Sequence, residues 1–188
     1  MFRSRQVVAA TVWVCGLVAV AIGQVEEAVI QGWNRESKRP EVAPEFSHFK
    51  TKSGELVLAM SGEGRETVDG AWTKAVPIRG GSTVRFTAFK RTRGVQAPTR
   101  SALVKITWQD ASGKMVKAAG VHGNMVLGEN ERARPEYPRD LPSSDRNDWV
   151  EVADVYQVPA GASQARVELR LRWTKGSVQW KTVGFEVF

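Results

Sequence analysis

Val167-Glu168-Leu169-Arg170-Leu171-Arg172-Trp173 decides the fold, because apolar and charged side chains alternate through it without a break. A period of two is the pleat of a β-strand with one buried and one wet face. Working outward, the same alternation recurs. Thr83 to Lys90 sets Val84, Phe86 and Ala88 against Arg85, Thr87 and Phe89; Ala102 to Gln109 sets Val104, Ile106 and Trp108 against Leu103, Lys105 and Thr107. Further strands are expected over Glu55 to Met60, Trp72 to Ile78, Trp149 to Gln157 and Val178 to Val187, with Lys114 to Val116 starting a return strand. In the last long strand Val178 and Trp180 fall on one parity and Val183, Phe185 and Val187 on the other, which predicts a bulge near Lys181 or Thr182.

Turn residues separate these runs. Ser61 to Arg65, Arg79-Gly80-Gly81-Ser82, Asp110-Ala111-Ser112-Gly113 and Val158-Pro159-Ala160-Gly161 all carry the glycines, prolines or Asx residues that reverse a chain. No helical stripe of useful length follows residue 23. The expected fold class is therefore all-β, a sandwich of two antiparallel sheets. On this pattern Val167, Leu169, Leu171, Trp173 and Trp108 enter the core, Trp33 caps it, and Trp72 and Trp149 cover its edge. Residues 24–54, with Pro40 and Pro44 and scattered charge, are expected to be an irregular lead-in. Residues 118–148, with Pro135, Pro138 and Pro142, are expected to be either a functional loop or a mobile flap.

The N-terminus bounds the compartment. Arg3 and Arg5 precede an uncharged apolar run from Val7 to Gly23, ending in small residues, which is the layout of a helical secretory signal cleaved before Gln24. The alternative is an uncleaved anchor, since about 20 apolar residues span a bilayer. Both place the rest of the chain outside the cytoplasm. The single cysteine, Cys15, lies inside that run, so residues 24–188 contain no thiol. Loss of Arg3 and Arg5 lowers the formal charge from +7 to +5, spread along the chain, which calls for no nucleic-acid partner.

Catalytic chemistry finds little to stand on. His48 and His122 each lack a second ligand at metal spacing, and no cofactor motif occurs. There is no Gly-x-Ser-x-Gly elbow, and cysteine-nucleophile chemistry is excluded from residues 24–188. Glu129, Glu131, Glu136, Asp140, Asp145 and Asp148 read as a solvated loop offset by Arg132, Arg134, Arg139 and Arg146. The chain is expected not to be an enzyme.

Binding is better supplied. If their strands neighbour one another, Arg85, Thr87, Phe89, Lys105, Thr107, Arg170 and Arg172 form one polar face carrying an aromatic, with Glu168 among them. The same residues also describe the wet face of any antiparallel sheet.

The order Trp72, Val76, Gly80-Gly81, Val84-Arg85-Phe86-Thr87-Ala88, Val104-Lys105-Ile106-Thr107-Trp108-Gln109-Asp110, Trp149, Val158-Pro159-Ala160-Gly161-Ala162 and Gly176-Ser177-Val178-Gln179-Trp180 resembles the jelly-roll carbohydrate-binding modules of the galactose-binding-like superfamily. With Arg134-Pro135-Glu136-Tyr137-Pro138 and Leu171-Arg172-Trp173 it is similar to the β-sandwich preceding carbon-nitrogen hydrolase (nitrilase-type) domains in secreted bacterial proteins. The resemblance covers about residues 55–188. It implies a non-catalytic module that grips a polysaccharide by stacking and hydroxyl hydrogen bonds, in company with a partner enzyme. One departure is Lys181 after Trp180, where such modules often carry an aspartate linked to a structural calcium. The alternative is a structural or protein-interaction sandwich without a sugar site, positioning a partner at the cell envelope.

Overall fold

A computed structural model describes residues 30–117, 121–122, 125–126, 133–142 and 148–188. The expected signal helix over residues 1–23, and much of the expected loop or flap over residues 118–148, lie outside the described residues.

Among the described residues twelve strands form: β1 (Asn34–Glu36), β2 (Glu45–Lys50), β3 (Leu56–Ser61), β4 (Asp69–Pro77), β5 (Thr83–Arg93), β6 (Ala102–Gln109), β7 (Val121–His122), β8 (Met125–Val126), β9 (Arg139–Asp140), β10 (Val150–Gln157), β11 (Gln164–Arg172) and β12 (Ser177–Val187). Among the described residues, a 3-10 turn at Pro40–Val42 and one short α-helix, α1 (Pro98–Ser101), interrupt them. The order β1-β4-β11-β6 makes one sheet and β2-β3-β12-β5-β10-β9 the other, with every pairing antiparallel; β7 and β8 pair with each other alone. The two large sheets pack face to face as a jelly-roll β-sandwich.

The alternation read from the sequence builds the core. Val84, Phe86 and Ala88 of β5 meet Val104, Ile106 and Trp108 of β6 and Val167, Leu169 and Leu171 of β11, all nearly inaccessible. Trp72 and Trp180 are wholly buried among them, and Trp33 closes one end. Each such indole removes roughly 150–250 Å² from water, on the order of 5 kcal/mol of transfer free energy as an upper bound. The Trp72 indole N–H also donates to Ala59 O at 3.1 Å, joining β4 of one sheet to β3 of the other.

Two predicted turns dock on each other. Gly81 N–H donates to Val158 O at 3.0 Å and Val158 N–H to Ser82 O at 2.9 Å. A side chain on Gly80 would put its Cβ 2.2 Å from Ala160 O, so only glycine admits this approach. At the third turn the Asp110 carboxylate accepts from the Ser112 hydroxyl at 2.6 Å and from two backbone N–H groups, and the Ser112 bond leads in lowering its pKa.

Two expectations are corrected. The described part of the lead-in is not irregular: β1 extends the small sheet beside β4, and β2 extends the large one beside β3. In the 118–148 segment, Glu136 bridges Ile106 and β9 pairs with β10. Finally, Trp173 leaves the core. It is 64% exposed because its φ of +52° turns the chain out of the strand one residue after Arg172.

Candidate functional site

The outer face of the six-stranded sheet gathers aromatic and polar side chains in register. Across it, Glu151 of β10 stands opposite Phe89 of β5, and Phe89 opposite Lys181 of β12. One step along, Arg91 stands opposite Gln179. Trp149, immediately before β10, lies under two cations, the Arg91 guanidinium at 4.9 Å and the Lys181 ammonium at 4.7 Å from its ring centre. The same ammonium is 5.8 Å from the Phe89 ring.

Neighbours fix these groups in place. The Gln179 amide oxygen accepts from Arg91 Nη2 at 2.7 Å and Nε at 3.3 Å. Arg85 pairs with Glu151 at 2.9 Å, and Glu55 with Lys181 at 3.5 Å. The expected bulge lies between Lys181 and Gly184, with Thr182 at φ +50°. It lets Val183 and Phe185 pack on the core alongside Val178 and Trp180 despite their opposite parity. Beside the bulge opens a cleft of about 200 Å³, lined by Gln31, Trp33, Glu55, Leu56, Leu58, Lys74, Trp180, Lys181, Thr182 and Val183. The face thus offers a half-buried phenyl ring, N–H donors and a carboxylate, the mixture that a flat, hydroxyl-bearing ring with apolar C–H edges can satisfy.

The residues expected to form one face are divided between two. Arg85, Thr87 and Phe89 lie on the six-stranded sheet; Lys105 and Thr107 of β6 and Arg170 and Arg172 of β11 belong to the four-stranded sheet, on the far side of the core. The condition that their strands neighbour one another fails because the chain crosses from one sheet to the other between β5 and β6. On the four-stranded sheet the charges neutralise one another. Glu168 receives Lys105 at 3.0 Å, Arg170 at 3.1 Å and Arg166 at 3.6 Å; Arg170 also binds Asp69, and Arg166 binds Glu36. Burial pulls the Arg170 pKa down, but Asp69 and Glu168 outweigh it and hold the guanidinium charged. Thr107 Oγ1 is buried without a hydrogen-bond partner.

Reading by residue type missed Arg91, Trp149, Glu151, Gln179 and Lys181. Continuing the β5 alternation beyond Phe89 would have found Arg91. Lys181 could not be oriented without resolving the bulge. Among the described residues, no three His, Cys, Asp or Glu side chains stand close enough to hold a metal ion, and no helix is long and apolar enough to cross a membrane.

No family model matches the chain, and no curated protein matches its sequence. Its fold is similar to those of many solved structures, among them the following three. The enzymatically active domain of tailspike protein 4 from bacteriophage CBA120 shares 13% identity and a TM-score of 0.53, over 84% of this chain and 19% of that one. The CBM22-1 and GH10 modules of Clostridium thermocellum endo-1,4-β-D-xylanase 10B, complexed with xylohexaose, share 12% identity and a TM-score of 0.51, over 86% and 27%. A candidate sugar-binding protein from Bacteroides thetaiotaomicron shares 8% identity and a TM-score of 0.50, over 83% and 87%. The chain therefore spans less than a third of the first two proteins and most of the third. At these identities the likeness is one of fold.

Proposed function

We propose that the protein is a secreted, non-catalytic carbohydrate-binding module of a bacterial cell envelope, and that it holds a neutral glycan on the outer face of the six-stranded sheet. The observation that carries this reading is the Phe89–Lys181–Trp149 cluster, in which an aromatic floor is ringed by Arg91, Gln179, Arg85 and Glu151. Sugar C–H groups would lie on Phe89, and hydroxyls would exchange hydrogen bonds with the surrounding donors and acceptors. Affinity would be modest, as expected for an open face that leaves much of its ligand in water. The fold supports the reading, since the xylanase neighbour's structure contains CBM22-1 and GH10 modules complexed with xylohexaose and the Bacteroides neighbour is described as sugar-binding. In the same reading, the resemblance to sandwiches that precede nitrilase-type domains makes the module the targeting part of a partner enzyme.

Affinity electrophoresis through gels containing xylan, mixed-linkage β-glucan or mannan tests it. At least one polymer is expected to retard the protein, and Phe89→Ala to release it. Migration unaffected by every polymer would end the reading; retardation unchanged by Phe89→Ala and Lys181→Ala would remove it from this face.

A further inference from the structure

Trp173 is held out in water by construction. Continuing the alternation of Val167, Leu169 and Leu171 would bury it, but φ of +52° rotates it to the surface. That conformation belongs to glycine and asparagine, and for a bulky residue it is an outlier that the surroundings must enforce. Here they do. Trp173 N–H donates to Val68 O at 2.7 Å, and the turn beyond it is locked by Gly62 N–H on Gly176 O at 2.9 Å and Gly176 N–H on Thr174 Oγ1 at 3.1 Å. Thr174 is itself buried. A side chain on Gly62 would strike Thr174 O at 2.3 Å, so the two loops fit backbone to backbone.

A second, independent feature concerns charge. The Arg172 guanidinium sits 4.4 Å from the Trp173 ring centre, and its Nε is tethered to Arg100 O at 3.1 Å. Neither the Arg172 terminal nitrogens nor the Arg100 side chain meets a carboxylate among the described residues. The acids nearby are engaged elsewhere, Asp69 with Arg170 and Glu66 with Lys175. This differs from the six-stranded face, where Arg85 and Lys181 each have a carboxylate and Arg91 an amide.

We propose that Trp173, Arg172 and Arg100 form a second binding platform, at the end of the four-stranded sheet, that takes an acidic sugar ring, a uronate, from a polyanionic polysaccharide. The indole supplies a fixed stacking surface and the guanidinium nitrogens a fork that fits a carboxylate. The ligand class rests on the carbohydrate reading above; the location does not, because the platform shares no residue with the Phe89 face.

Affinity electrophoresis and titration with polygalacturonate, beside the same polymer reduced to its neutral form, test the proposal on the full chain. Trp173→Asn suits the left-handed backbone and is expected to melt no lower than the parent. It should weaken polygalacturonate binding about tenfold, as should Arg172→Gln, while Phe89→Ala leaves this binding unchanged and the reduced polymer binds far more weakly here. Equal binding by Trp173→Asn, equal binding of the reduced polymer, or a marked fall in the melting temperature of Trp173→Asn would each overturn it. Loss of polygalacturonate binding in Phe89→Ala alone would overturn the platform while leaving the proposed face in place.

Discussion

Lys90 donates its ammonium to Asp140 Oδ1 at 2.8 Å, from a position only 2% exposed on the core side of β5. It also reaches Ala102 O at 2.7 Å and Pro98 O at 3.3 Å, and lies 5.9 Å from the Trp180 ring centre. One buried cation thereby ties the edge strand β9 and the helix α1 to the sandwich interior.

The first prediction follows from that burial, which holds the Lys90 pKa below its ordinary 10.5 against the opposing pull of Asp140. The unfolded chain then keeps the proton more tightly than the folded one, so stability rises with pH in the window beneath 10.5 and is flat below it. Tyr156 acts the other way. Burial, then the charges of Asp154 and Glu136, raise its pKa, so its contribution is lost only above its ordinary 10.0. Urea midpoints should climb in the parent as the pH rises toward 10.5 and climb less in Lys90→Met. Lys90→Ala should cost about 3 kcal/mol at neutral pH, since it leaves Asp140 and Ala102 O without their partner.

The second prediction concerns the proposed face. Phe89→Ala should weaken glycan binding about tenfold, the equivalent of roughly 1.4 kcal/mol, while Phe89→Tyr keeps most of it. Lys181→Met should have an intermediate effect by freeing Trp149 and Phe89 of their shared cation. Calorimetric titration with whichever polymer retards the parent reads all three, and equal affinity in Phe89→Ala would contradict the stacking role.

A third prediction contrasts two glycines. Gly80→Ala should destabilise by more than about 2 kcal/mol, because its Cβ meets a carbonyl oxygen that cannot move without breaking the paired turns. Gly184→Ala should be neutral or raise stability by about 0.5 kcal/mol, since its Cβ would find nothing within 4 Å. Thermal melts of the two variants separate the cases.

Strand identity was legible where alternation was long. The reading of β6 agrees with the structure residue for residue; those of β5 and β12 fall short by three residues and one residue at an end, and that of β10 starts one residue early. The lead-in strand β2 was not, because Glu45-Phe46-Ser47-His48-Phe49-Lys50 is an edge strand with only Phe46 packed against the core, too little burial to impose a pattern. Parity tells which side of a strand is wet but not which sheet the strand joins. Phe89 and Lys105 were therefore expected on one surface, whereas a whole core separates them. Trp173 failed for a different reason: a parity argument holds only while the backbone stays extended, and one left-handed residue ends it.

The bond from the Trp72 indole to Ala59 O acts as a rivet between the layers of the sandwich. Oily contact resists pulling two sheets apart but barely resists sliding them, whereas a directional bond at one point penalises any lateral offset. Trp72→Phe would keep the oil and remove the rivet, leaving a molecule that still collapses but whose two layers have lost their fixed alignment.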